Sequence, residues 1–191
     1  GGAFSFGSAN GTRVDGSHLA GRQDVVVVTV NQRLNIFGHL DLSAFGGAEF
    51  AASGNAGTLD MIAALEWVRD NVSAFGGDPG NVTIFGESGG AGKVSTLMAM
   101  LRAKGLFHRA IAQSGAVIRL REPDRAHALT EVILRELGLA RTQLGELQSM
   151  PKARLIAAIE PAIRALGPSP WPLFDRYPFG PVVDGTIVPR H

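Results

Sequence analysis

The residues with the clearest capacity for covalent chemistry are Gly86-Glu87-Ser88-Gly89-Gly90, a G-x-S-x-G pentapeptide. A serine hydroxyl is a poor nucleophile until a base takes its proton, and attack on a carbonyl leaves an oxyanion that needs donors already aimed at it. The pentapeptide follows Asn81 to Phe85, which reads as a strand, and opens a helical stretch that continues through Val94 to Leu101. In that setting a tight turn projects the serine hydroxyl above a sheet edge, which gives the glycines at 86 and 90 a steric reason. The Gly89 amide would sit in the first turn of the helix, where N–H groups lack partners and the dipole favours developing negative charge. Gly1-Gly2-Ala3 would supply the remaining donors, because small residues let the backbone approach a substrate. Taken alone, the pentapeptide reads equally well as an ordinary glycine turn.

The elements that must position these residues follow an α/β pattern. Asp24 to Val30, DVVVVTV, is a β-branched run expected to form a strand buried on both faces. Asn31 to Gly57 carries many glycines and little periodicity, which predicts loops with short turns. From Thr58 to Ser73, Met61, Leu65, Val68 and Val72 recur at helical spacing, widened by Leu59, Ala63 and Trp67. His108 to Gln113 reads as a third short strand, and the alternation implies a parallel sheet. Pro123 to Leu137 is amphipathic, with proline in its first turn and Gly138 as a stop, and is expected to be a surface helix. Thr142 to Leu166 reads as helix broken at Pro151 and Pro161, and Gly167 to Pro181 as irregular chain.

Composition narrows the partners. The 191 residues are 45% hydrophobic with a formal net charge of +1, enough for one sizeable core and too little positive charge for a nucleic-acid footprint. With no cysteine, thiol chemistry, disulfides and thiolate metal sites are excluded. The densest apolar run, Val25 to Val28, is far short of the roughly 20 residues that span a bilayer, so no membrane insertion is expected. Gly86 to Thr96 also looks like a phosphate loop, but a P-loop ending at Gly92-Lys93 would need glycine at 87 and a hydroxyl at 94, where Glu87 and Val94 stand.

Five segments carry a resemblance: GGAFSFGS at the start, NQRLNIFGHLDL at 31–42, ALEWVRDNVSAFGGDPGNVTIFGESGGAGKVS at 64–95, GLFHRAIAQSGA at 105–116 and FGPVVDG at 179–185. Together they are similar to the type-B carboxylesterase family, which includes para-nitrobenzyl-type esterases and cholinesterases. The resemblance implies a partial α/β-hydrolase fold over residues 1–191 as a single partial domain, and a serine hydrolase of carboxylic esters working through an acyl-enzyme. It implies Ser88 as nucleophile, the amides of Gly2, Ala3 and Gly89 as the oxyanion hole, and Glu87 as an acidic residue at the substrate site, against the plainer reading of Glu87 as a solvated carboxylate. It implies a small-molecule ester as partner, and no cofactor or metal.

The chain departs from the family pattern in what should follow. The family's acid and histidine fall beyond the equivalent of Gly185, and nothing here matches either, so the sequence reads as an internal fragment of a larger enzyme. Of His18, His39, His108, His127 and His191, only the last two follow both Ser88 and a later carboxylate. His127 is expected on the solvated side of its helix, and His191 is the final residue; neither is taken as the base. Met61, Lys93 and Met100-Leu101 also differ from the family, with no functional change attached. The competing expectation is a non-catalytic fragment or a binding protein on the same fold, against which the intact serine argues. The natural ester, the oligomeric state and the compartment stay open.

Overall fold

The computed structural model describes residues 1–117, 119–168 and 177–189. In chain order the main elements are α1 (Ser17–Gln23), α2 (Asn35–His39), α3 (Ala56–Asn71), β1 (Thr83–Glu87), α4 (Gly89–Ala99), β2 (Arg109–Gln113), α5 (Pro123–Glu136), α6 (Lys152–Ala157) and α7 (Ile159–Leu166). Short 3-10 turns fill several of the connections, the longest at Arg141–Gln148.

β1 and β2 pair in parallel, Thr83 opposite Arg109 through Glu87 opposite Gln113. Parallel neighbours cannot be joined by a hairpin, and α4 makes the crossover. The register sets Glu87 beside Gln113, so the two chains leave the sheet together at Ser88 and Ser114. α3 runs alongside, burying Met61, Ile62, Leu65 and Val68 on one face. It tightens into a 3-10 turn over Val72–Phe75 and stops at Gly76, whose φ of 81° suits glycine.

Two apolar clusters organise the rest. One joins Met61, Ile62 and Leu65 of α3 to Leu97 and Met100 and to Leu106 and Val188, beside the sheet. The other gathers Leu129 and Ile133 of α5, Ala162 of α7, Phe179 and the segment from Ile36 to Leu42. α5 was expected at the surface, and only its polar face is there. Ala126, Leu129, Thr130, Val132, Ile133 and Leu134 are buried, which makes the helix a centre of this cluster. The helical pieces are interrupted as expected at Pro151, extended in the gap as the N-cap of α6, whereas Pro161 lies in the first turn of α7 and the second interruption falls before it, at Ala158.

The segment 177–189 is tied in by polar contacts. The Asn55 amide donates to the Val182 carbonyl at 2.8 Å and to Asp184 Oδ2 at 3.0 Å, and the Asn55 carbonyl accepts from Val182 N–H at 3.0 Å. Asp184 Oδ1 accepts from the N–H groups of Thr186, Ile187 and Val188 at 2.9, 2.8 and 3.0 Å, closing the turn. Arg121, buried and with its pKa pushed down to about 9 by desolvation, donates to the carbonyls of Pro178 and Tyr177.

The run at residues 24–30 departs from expectation. Among the described residues it takes no ladder partner, and Val25, Val26, Val28 and Val30 stand 39–45% exposed. A strand is defined by its neighbours' hydrogen bonds and a buried strand by layers on both faces. The β-branched composition supplies the propensity, and among the described residues no neighbour supplies the pairing.

Candidate functional site

Ser88 lies between β1 and α4 with φ 54° and ψ −121°, a left-sided conformation that non-glycine residues rarely hold. Its neighbours enforce it. Ser88 N–H donates to the Gln113 carbonyl at 2.8 Å, and the Ser88 carbonyl accepts from Gly92 N–H at 3.1 Å. A Cβ at Gly86 would fall 2.4 Å from the Gly90 carbonyl carbon, and one at Gly115 would fall 2.3 Å from the Ser88 oxygen. The strand-to-helix turn therefore closes only because glycine stands at both places. The serine is exposed at its apex.

The first residues of the chain fold back onto this turn. A Cβ on Gly89 would lie 2.2 Å from the Ala3 nitrogen, so the Gly89 and Ala3 backbones are in close approach across 86 positions of sequence. Gly2, Ala3 and Phe4 are consecutive left-handed residues, with φ of 78°, 50° and 64°. The Gly2 carbonyl accepts from Ser5 N–H at 2.8 Å and Phe6 N–H at 3.1 Å, and the Phe4 carbonyl accepts from Asn35 N–H at 2.8 Å. Among the described residues, the N–H groups of Gly2, Ala3 and Gly89 donate to no backbone or side-chain acceptor. The Ala3 and Gly89 backbones thus lie together next to the turn that carries the exposed Ser88.

Under the loop, the Phe4 ring is buried between two basic side chains. The His39 ring meets it edge-on with centroids 5.7 Å apart, and Lys93 Nζ sits 4.5 Å from its centroid. His39 Nδ1 contacts the Gly54 carbonyl at 3.1 Å, and burial holds its pKa down at about 3, so the ring is neutral. Lys93 is 8% exposed; its ammonium donates to the Gly1 carbonyl at 3.1 Å and reaches the Gly89 carbonyl at 3.5 Å. Burial pushes its pKa down to about 8. Neither residue was marked as functional from sequence, although a lysine amid glycine, alanine and valine on the helix after Ser88 was the available signal.

The remaining sequence candidates separate. Glu87 is exposed at the end of β1, its backbone oxygen close to Gly1. Among the described residues no histidine hydrogen-bonds Ser88. His18 and His108 are exposed, and His108 Nδ1 accepts from Val82 N–H at 3.1 Å. His127 is half-buried rather than solvated, because Asp41 and Ser43 lie against it: Nε2 is 3.2 Å from Asp41 Oδ2 and 3.1 Å from Ser43 Oγ. Serine, histidine and aspartate thus meet, but both contacts use one ring nitrogen. A proton relay needs both nitrogens, so this is a packing contact and not a second catalytic set. His191 lies outside the described residues.

A cleft of about 530 Å³ is lined by Asp41, Ser43, Pro123, His127 and Asp184, and includes none of Gly2, Ala3, Ser88 or Gly89. The left-handed Ser88 and its neighbouring backbone therefore lie apart from this concavity. Among the described residues no group of three or more His, Asp or Glu side chains is arranged to hold a metal ion, and no helix is long and apolar enough to cross a membrane.

Solved structures share this fold. A carboxylesterase of Geobacillus stearothermophilus superposes with a TM-score of 0.86 at 46% identity, covering all of this chain and 39% of that one. A PNB esterase superposes at 0.89 with 43% identity, again over the whole chain and 39% of its own length. The class these define is the α/β-hydrolase fold, of which this chain forms part. A model of the carboxylesterase family matches residues 1–191, and the para-nitrobenzyl esterase of Bacillus subtilis (strain 168) is 43% identical over 190 residues. The chain belongs to the carboxylesterase family. It spans 37% of the length of the Bacillus esterase, and a 118-residue part of it is 54% identical to carboxylesterase 5A of Felis catus.

Proposed function

We propose that this chain carries the nucleophile and oxyanion hole of a carboxylic ester hydrolase. The observation that carries the reading is the juxtaposition of the left-handed Ser88 with the Gly89 and Ala3 backbones. Ser88 Oγ attacks the ester carbonyl while a base takes its proton, and the carbonyl oxygen, now an oxyanion, accepts hydrogen bonds from Gly2, Ala3 and Gly89. Collapse expels the alcohol, which takes the proton, and leaves an acyl group on Ser88. Water then repeats the attack, releasing the carboxylic acid and the free serine. The base and the acid that orients it are assigned outside residues 1–191, because nothing in the sequence matches the family's pattern for either. Glu87, exposed at the end of β1 next to Ser88 in sequence, is assigned to the wall of the substrate site. The names of the similar esterases support a small-molecule ester as substrate.

Hydrolysis of a para-nitrophenyl ester by the complete gene product, by residues 1–191 alone, and by the Ser88→Ala form of each tests this. Turnover by the complete protein that disappears with Ser88→Ala is expected, with little or none from residues 1–191. Undiminished turnover in Ser88→Ala would refute the assignment, and serine-dependent turnover by residues 1–191 would refute the placement of the base.

A further inference from the structure

Lys93 is an expensive residue to place where it is. It is 8% exposed on α4, beside Gly90, Ala91, Val94 and Leu97, where a side chain of similar length without charge would pack without desolvating an ammonium. Its contacts are specific: the Gly1 carbonyl at 3.1 Å, the Gly89 carbonyl at 3.5 Å and the face of Phe4 at 4.5 Å. All three belong to the two segments whose amides border Ser88.

The geometry of a peptide unit gives these contacts a consequence. The described peptides are all trans, so each C=O and the N–H that follows it point in opposite directions. Holding the Gly1 carbonyl on the Lys93 side turns the Gly2 N–H to the other side, and the Ser5 and Phe6 donors do the same for Ala3 N–H through the Gly2 carbonyl. The second peptide is held by its own turn. The first has glycine on both sides, and glycine by itself imposes no orientation. We propose that Lys93 is a positioning residue of the ester-hydrolysing site, its ammonium gripping the Gly1 carbonyl and the Phe4 ring so that the Gly2 amide faces the oxyanion. This rests on the function proposed above for Ser88 and its neighbouring amides.

The test compares the complete gene product with its Lys93→Met and Ser88→Ala forms, using a para-nitrophenyl ester as substrate and an alkyl boronic acid, which forms a tetrahedral adduct on a serine oxygen, as probe. Removing one oxyanion donor outright costs about 10²–10³ in kcat, and releasing a donor's orientation is expected to cost about 10- to 100-fold. The loss should fall on kcat with KM within about threefold, and boronate affinity should weaken by a similar factor to kcat/KM. Ser88→Ala should be inactive; if it is not, the parent reading falls. With Ser88→Ala inactive, Lys93→Met within about threefold of wild type in both kcat and boronate affinity would overturn this inference alone. A loss confined to KM with boronate affinity unchanged would do the same. If Lys93→Met does not fold, Lys93→Ala is read against the same limits, and failure of both to fold would assign Lys93 to structure rather than positioning.

Discussion

Burying Lys93 has a thermodynamic signature separable from catalysis. Desolvation lowers its pKa from 10.5 to about 8 in the folded protein, whereas the unfolded chain keeps the ordinary value. Between those limits the unfolded state binds the proton and the folded state does not, so stability rises with pH across the window. Below about pH 8 both states carry the proton and the gain is absent. At about 1.4 kcal/mol per unit, the full excursion is about 3 kcal/mol. His39, across the Phe4 ring, has its pKa near 3 and does not titrate in this range. The measurement is urea unfolding of the complete protein and of Lys93→Met at intervals from about pH 7 to pH 10.5, read as the difference between the two so that other titrations cancel. Wild type should gain about 3 kcal/mol on the variant across the window, most of it above pH 8. A difference that stays flat would refute a lowered pKa for Lys93 in the folded protein, and would mean that hydration or the contacts to Gly1 and Phe4 offset the desolvation.

Three further outcomes follow from the geometry. Gly86→Ala places a Cβ 2.4 Å from the Gly90 carbonyl carbon, so the turn must open, and ester hydrolysis by the complete protein should fall about 100-fold or more through displacement of Ser88; near-wild-type kcat would show that the turn tolerates a side chain. Asn55→Ala strips both backbone partners from buried Val182, and denaturant unfolding should report a loss of about 2–4 kcal/mol. Asp24→Gly relieves an exposed left-handed residue at the end of α1, where φ is 51°, and should raise stability by about 0.5–1 kcal/mol in the same assay with ester hydrolysis unaltered.

The legible parts of the sequence were those whose signal is local. Helical spacing located α3 and α5, and the glycines flanking Ser88 located the turn between β1 and α4, since period and steric need are both written within a few residues. Contacts over long separations were not legible. Asn55 is an unmarked polar residue in a glycine-containing loop, and its role comes wholly from Val182 and Asp184, 127 and 129 positions away. The valines at 25–30 have the propensity of a buried strand, but burial belongs to whatever packs against them. Lys93 reads in sequence only as a departure from the family pattern; its position relative to Gly1, 92 residues earlier, converts an ordinary residue into a buried cation.

The candidate site also explains where the chain holds its backbone strain. Six described non-glycine residues have positive φ, and Ala3, Phe4, Asn35, Ser88 and Ser114 form a connected group, leaving Asp24 apart. Asn35 N–H donates to the Phe4 carbonyl, Gly89 abuts Ala3, and the Gln113 carbonyl that receives Ser88 N–H directly precedes Ser114. Each such residue costs on the order of 1–3 kcal/mol and persists only where its surroundings over-determine it. An oxyanion hole cannot secure its loop through the donors themselves, because those must stay free for the substrate. The alternative is to hold the loop by its carbonyls and its ring. Here the Gly1 oxygen is taken by Lys93, the Gly2 oxygen by Ser5 and Phe6, the Phe4 oxygen by Asn35, and the Phe4 ring by His39 and Lys93. The grips on the Gly1 and Gly2 carbonyls act opposite the N–H groups of the same peptides, so the loop is held while the Gly2 and Ala3 amides stay without acceptors among the described residues.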